Sequence, residues 1–179
     1  MITMDEIEGL RVPDGFTPVV GFRRFGIPHP LSGAGHDCLV QLGHRWTPQA
    51  PTIAKCRRMP ISCGDRAPTQ YCSCGLHAWL GIEEALEYRE LTTSLGWVMA
   101  SVIGWGRVFF DEDFWRAEMA QVIAFADPRD THSNRPEVVQ EAVGEWVAKV
   151  AVDYGAPVLP LDELREYTLM YGEEYAENG

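Results

Sequence analysis

The sequence contains no long hydrophobic run, and none of its apolar stretches approaches the roughly 18 consecutive residues that a membrane helix needs. The first residues, 1–8, are acidic, where a secretory signal would be basic and then apolar. Neither end carries a lipidation motif. These absences exclude the usual membrane attachments, so we expect a soluble, cytoplasmic protein with no membrane partner.

Positive charge is scarce in the second half of the chain. The 179 residues carry a net charge of −11, and residues 81–179 alone contain 20 acidic and 7 basic side chains. Such a surface repels nucleic-acid phosphates, so we expect no direct binding of nucleic acid. It either keeps the protein soluble or attracts a basic partner, such as a nucleic-acid-binding protein.

Recognisable catalytic motifs are also missing. The sequence has no His-Glu-x-x-His, no zinc-deaminase signature, no Gly-x-Ser-x-Gly and no complete phosphate-binding loop. Histidines outside the Cys-rich segment, including His132, stand alone and are interpreted as incidental. The sequence therefore assigns no catalytic residue. It favours a non-enzymatic protein, and an enzyme stays the alternative.

The hydrophobic patterns predict one α+β domain over residues 1–179. Its expected elements are strands at 17–25 and 38–46, an irregular segment at 47–71, a helix at 82–95, hairpin arms at 97–110 and 114–125, helices at 136–154 and 161–170, and a frayed tail at 172–179. This order lacks the alternation of a parallel doubly wound sheet. It favours an antiparallel sheet with a long β-hairpin, an irregular Cys-rich loop and C-terminal helices packed on one side.

Five cysteines are present, and four of them fall within one proline-broken segment. Cys56, Cys63, Cys72 and Cys74 are followed closely by His77. Thiolates and imidazoles are the usual ligands of structural zinc, and a long irregular loop needs something to hold it. We therefore predict a zinc site made by the four cysteines, with His77 in place of Cys63 as the main variant, within a loop subregion at 47–80. The alternative is that the thiols are buried as small apolar groups.

The hairpin supplies a second set of candidate residues. A ligand or partner surface could be built from aromatic and charged side chains: Trp105, Arg107, Trp115, Arg116 and Glu118. Aromatic residues on strands are more often part of the core, so a purely architectural role is the competing interpretation.

Three stretches carry a resemblance to known proteins. Residues 72–79, Cys-Ser-Cys-Gly-Leu-His-Ala-Trp, are followed by Gly104-Trp105-Gly106-Arg107-Val108 and by Trp115-Arg116-Ala117-Glu118. This pattern resembles a group of actinobacterial and actinophage proteins with a Cys-x-Cys-Gly-[Ile/Leu]-[Tyr/His]-Ala segment, a Trp-Gly-x-Val strand and an Arg-Ala-Glu arm. The resemblance spans roughly residues 45–125. It implies a shared fold, an actinobacterial or phage source and some support for a metal, but no activity.

The leading functional hypothesis is a non-enzymatic, phage-encoded interaction protein that binds a host or partner protein. In one variant, the acidic surface imitates DNA and blocks a nucleic-acid-binding protein. A second hypothesis is an enzyme or small-ligand-binding protein that uses the aromatic hairpin at 97–125. A third is a virion or assembly component, which discrete oligomers would support.

Overall fold

A computed structural model describes residues 18–26, 39–41, 44–56, 67–69, 72–87, 97–132 and 135–177. Within these ranges the elements are β1 (Val19–Gly26), β2 (Val40–Gln41), β3 (His44–Arg45), β4 (Thr52–Ile53), β5 (Leu76–Trp79), α1 (Ile82–Glu87), β6 (Trp97–Phe110), β7 (Phe114–Ala126), α2 (Pro128–Thr131), α3 (Glu137–Tyr154), β8 (Val158–Leu159) and α4 (Leu161–Glu177). All eight strands belong to one sheet, which is antiparallel except where β7 pairs with β8. The predicted α+β class and antiparallel sheet are confirmed.

The β6–β7 hairpin forms the centre of the sheet. Its arms pair along almost their whole length, and the exposed acidic residues 111–113 connect them. The register shifts twice, and the second shift lies beside Gly106, whose φ of 81° suits glycine. These irregularities bend the hairpin, so that its neighbours can reach around it.

The strands β1, β6, β7 and β5 close into a ring. β6 pairs with β1 and β7, while β5 pairs with β7 and, through Trp79 and Phe22, with β1. The indole of Trp115 fills the space between these strands and donates a hydrogen bond of 2.9 Å to the carbonyl of Val20. A Cβ atom added to Gly104 would lie 2.5 Å from this indole, so the ring closes only because that position has no side chain.

The helices cover both faces of the sheet. Alternate residues of β6 point to opposite sides, and Val98, Ala100 and Val102 share a cluster with the inner face of α3. On the other side, Ser101 accepts a 2.7 Å hydrogen bond from the hydroxyl of Thr168 in α4. The C-terminal helices are present as predicted, but α3 and α4 divide between the two faces rather than sharing one side. Both faces of β6 are apolar, so each needs a helix to cover it.

The element boundaries differ from expectation in three places. The strand expected at 38–46 is two short antiparallel partners, because Gln41 pairs with His44 across a two-residue connection. The segment expected to be irregular contains β4, and α4 continues to Glu177, where a frayed tail was expected. Buried Thr168 and Tyr171 anchor that extension. Residues 88–95 of the helix predicted at 82–95 lie outside the described residues.

Among the described residues, no helix combines the length and the hydropathy that crossing a membrane requires.

Candidate metal centre

Three cysteines from two separate segments meet beside the sheet. The sulfur atoms of Cys56, Cys72 and Cys74 all lie within 4.8 Å of one another. Cys72 is buried, whereas Cys56 and Cys74 are partly buried and pack against the main core cluster. The structure therefore brings together three of the four predicted ligands, in a group able to hold a metal ion.

The separation of two of the sulfur atoms is compatible with tetrahedral coordination. Two thiolates bound to zinc at about 2.3 Å in a tetrahedron are about 3.8 Å apart. The sulfur atoms of Cys56 and Cys72 are 3.8 Å apart. A disulfide would require about 2.05 Å. For this pair the distance is too long for a cystine, and it matches both two thiolates that share a metal and two thiols joined by a hydrogen bond.

Strand β7 positions both segments that carry the thiols. The strand β4 pairs with one edge of β7 at Thr52 and Ile53, and the amide of Ala54 donates a 2.7 Å hydrogen bond to the carbonyl of Glu118. This docking fixes the chain two residues before Cys56. On the same edge of β7, β5 pairs with residues 114–117 and fixes the chain immediately after Cys74.

Arg116 ties the Cys-rich loop to the sheet. Its Nη1 atom donates to the carbonyl oxygens of Cys72, of Cys74 at 3.3 Å and of Thr69 at 3.5 Å. These contacts orient the peptide groups on either side of the thiols, and a planar guanidinium suits such convergent acceptors. Arg116 was expected on a ligand or partner surface, and the structure instead places it under the loop.

The loop enters β5 through a position that requires glycine. Gly75 has a φ of 124°, and an added Cβ atom would lie 3.2 Å from both Pro68 and Arg116. Few residues other than glycine adopt this conformation. The Cys-x-Cys-Gly order in the sequence therefore has a geometric basis, because the glycine turns the chain from the thiols into the strand.

The structure describes one of the two candidates for the fourth metal ligand and not the other. Cys63 lies outside the described residues. His77 lies on β5, where its Nε2 atom is 3.0 Å from the carbonyl oxygen of Ser73 and its ring stacks on Phe114 at 5.8 Å. The group of thiols found among the described residues does not include His77. The choice between Cys63 and His77 stays a prediction.

The remaining hairpin candidates have architectural contacts. Trp105 and Trp115 are 1% and 0% exposed and belong to the core. The backbone amide and Nε atom of Arg107 both donate to Oε2 of Glu118, at 3.2 and 3.3 Å, across the second irregularity of the hairpin. The structure therefore does not gather these five residues, Arg116 included, around one shared space.

A second polar cluster was missed in the sequence. His132 was interpreted as incidental, yet it is buried and its Nε2 atom lies 2.7 Å from the carbonyl oxygen of Trp97. Burial lowers the pKa of His132 below its ordinary value, and the nearby Arg135 and Arg24 lower it further, although the hydrogen bond to Trp97 opposes the shift. Arg24 and Trp97 come from segments far from His132 and Arg135 in the sequence, so no spacing in the sequence could have revealed the cluster.

No protein-family model matches the sequence, and no curated protein or solved structure is detectably similar to it.

Proposed function

We propose that this chain is a non-enzymatic interaction protein whose Cys-rich loop is fixed by a structural zinc ion, and that it binds a basic partner protein through the acidic outer face of α4. The 3.8 Å separation of the Cys56 and Cys72 sulfur atoms carries the metal part of the proposal. A thiolate-rich ligand set favours zinc over harder cations. Cys63 is the fourth ligand in this proposal.

The proposed role of the ion is structural, and it requires Cys63 as a fourth thiolate. A catalytic zinc keeps one coordination position open for water, next to an acid or base. In the described parts of the chain, the ligating group is made of thiols alone, and the neighbouring Arg116 holds backbone carbonyls. Four thiolates would close the coordination shell, so the ion would hold the loop rather than activate a substrate.

The proposed partner surface lies on the side of α4 that faces away from the sheet. Asp162, Glu163 and Glu166 are exposed there, and Leu169 and Met170 are each 58% exposed. The 17-residue helix contains six acidic residues and one basic residue. Apolar side chains framed by carboxylates complement a basic surface with an apolar depression, and the charges would speed association.

The sequence resemblance indicates which organism the partner comes from. If the chain is phage-encoded, as the resemblance to actinophage proteins implies, its partner is a host protein. The alternative that uses the hairpin at 97–125 has less support, because Arg107 and Glu118 bind each other.

The test begins with the metal. Elemental mass spectrometry of the purified chain should give one zinc per chain. Cys72→Ser should lose most of that zinc, whereas Cys38→Ser, which lies outside the predicted ligand set, should keep it. Absence of zinc from the wild-type chain, with five titratable thiols in denaturant, would refute the metal site.

The partner surface is tested with charge-matched variants of the zinc-loaded chain. One variant combines Asp162→Asn, Glu163→Gln and Glu166→Gln on α4. Its control combines Glu137→Gln, Glu141→Gln and Glu145→Gln on α3, which covers the opposite face of the sheet. Capture of a partner from an actinobacterial lysate should weaken with salt and fail only for the α4 variant. Equal capture by both variants would reject α4 as the surface, and discrete oligomers on sizing would favour an assembly component.

A further inference from the structure

A cleft of about 720 Å³ opens beside Trp97, near the end of the hairpin opposite to the three cysteines. Its volume falls in the range of small-molecule sites, which is about 300–1,000 Å³. Most of its wall is polar or charged, and includes Arg24, Glu87, Trp97, Thr131, His132 and Arg135. The strand β1, the helices α1 and α2 and the start of β6 all contribute to it, so the site depends on the folded structure.

One wall of the cleft is a fixed stack of side chains. The guanidinium of Arg24 lies 3.8 Å above the ring of Trp97, and it donates to the carbonyl of Leu86 at 3.4 Å. The ring of Trp97 lies 4.6 Å from the ring of His132. Each group is held from two sides, so the wall is already ordered before any ligand arrives. Such preorganisation reduces the entropy that binding costs.

The described lining of the cleft carries more positive than negative charge, in a strongly acidic protein. Two arginines among these residues stand against one carboxylate, Glu87, whereas the chain as a whole carries −11. Burial is the main cause of the lowered pKa of His132, and the same two arginines lower that pKa further, as is expected of charges that face the same wall. An excess of one sign of charge in a cleft attracts ligands of the opposite sign.

We propose that this cleft binds a small anionic ligand through Arg24 and Arg135, and that the ligand carries a phosphate or a carboxylate group. Arginine recognises both groups through paired N–H donors. Arg24 is already stacked and supplies a fixed charge, while Arg135 is exposed at the rim and supplies the second. The aromatic edge of Trp97 offers an apolar contact for the remainder of the ligand.

The experiment is a titration of the full-length chain with inorganic phosphate and, separately, with citrate, followed by nuclear magnetic resonance. The indole N–H signal of Trp97, identified with Trp97→Phe, reports binding in the cleft. We expect saturation with a Kd of about 1 mM or tighter for one of the two anions. Tighter phosphate binding identifies a phosphorylated ligand, and tighter citrate binding identifies a carboxylate.

Two variants with the same change in charge separate a built site from general attraction. Arg135→Gln removes a rim arginine and should weaken binding roughly tenfold. Lys149→Gln removes an exposed charge on α3, away from the cleft, and should leave the affinity unchanged. If both variants bind as the wild-type chain does, or if neither anion moves the Trp97 signal, the proposal is overturned.

Discussion

At the scale of single residues, Arg116 connects the sheet to the Cys-rich loop more directly than any other side chain described there. Its guanidinium reaches carbonyl oxygens on both sides of Cys72 and Cys74, while its own strand is fixed by pairing with β5 and β6. Groups that orient metal ligands commonly change metal affinity by tenfold to a hundredfold when they are replaced. Arg116 is therefore a positioning residue for the proposed zinc.

We predict that Arg116→Lys raises the zinc dissociation constant by about tenfold, since an ammonium cannot reproduce the planar donors that hold several carbonyls at once. Competition with a chromophoric chelator measures the change. Arg107→Lys is the control, because Arg107 lies on the same hairpin and binds Glu118 instead of the loop. Equal zinc affinity in the Arg116 variant and the wild-type chain would show that the loop positions its thiols without this arginine.

At the scale of elements, closure of the four-strand ring depends on how closely β1 and β6 approach Trp115. Added Cβ atoms at Gly21 and Gly104 would lie 2.7 Å and 2.5 Å from its indole, which is inside normal contact. The indole is also held by its hydrogen bond to Val20, so it has little freedom to move aside. A single added methyl group should therefore disturb the packing of the ring.

Gly104→Ala should lower the free energy of unfolding by roughly 1–3 kcal/mol, because overpacking displaces Trp115 or the strand beside it. Gly144→Ala is the matched control in α3, where an added Cβ atom meets nothing within 4 Å. Alanine is the better helix former, so that variant should be more stable by roughly 0.5–1 kcal/mol. Urea denaturation measures both changes. Loss of stability in both variants, or in neither, would contradict this account of the ring.

The elements also show what the sequence could and could not predict. The arms of the hairpin and α3 were predicted almost to the residue, because the arms are long runs of β-forming residues, α3 has a clear helical period, and a turn signal ends each of them. The ring was not predicted, since β5 is only four residues long and its pairing with Phe22 joins distant segments. The thiols were predicted as ligands because four cysteines fall within one proline-broken segment, and the structure brings three of them together. The role of Arg116 was not predicted. It binds backbone carbonyls, which every residue has, so the types of its partner residues give no signal in the sequence.

At the scale of the whole molecule, three features lie on different parts of one sheet. The thiols lie at one end of the hairpin, and the cationic cleft lies near the other. The helix α4 covers the face of the sheet opposite to α3, and its acidic side points outward. An anion in the cleft and a basic partner on α4 would use opposite charges. The start of α4 lies close to the cleft, because the amide of Leu161 donates to Asp130 of α2 and Trp97 packs in the same cluster as Leu164. The charge variant of α4 is therefore also tested for anion binding.

The stability of the whole fold should fall as pH drops below 6.5, because the folded chain holds His132 with a lowered pKa. Below its ordinary value of 6.5 this side chain takes up a proton in the unfolded state but not yet in the folded one, which favours unfolding. Asp127, whose pKa is lowered by its hydrogen bond to Arg129, adds a similar loss only below 3.8. The two groups therefore act in separate pH windows.

We predict that urea denaturation at pH 7.5 and pH 5.5 gives a lower free energy of unfolding at the lower pH, and that His132→Gln reduces this difference. Glutamine can still donate to the carbonyl of Trp97, and it does not titrate. At pH 7.5 His132 is neutral in both states, so the lowered pKa costs no stability there. The comparison of the two pH values within each variant removes any constant effect of the substitution. An unchanged pH difference in the variant would mean that other groups cause it and that burial of His132 does not.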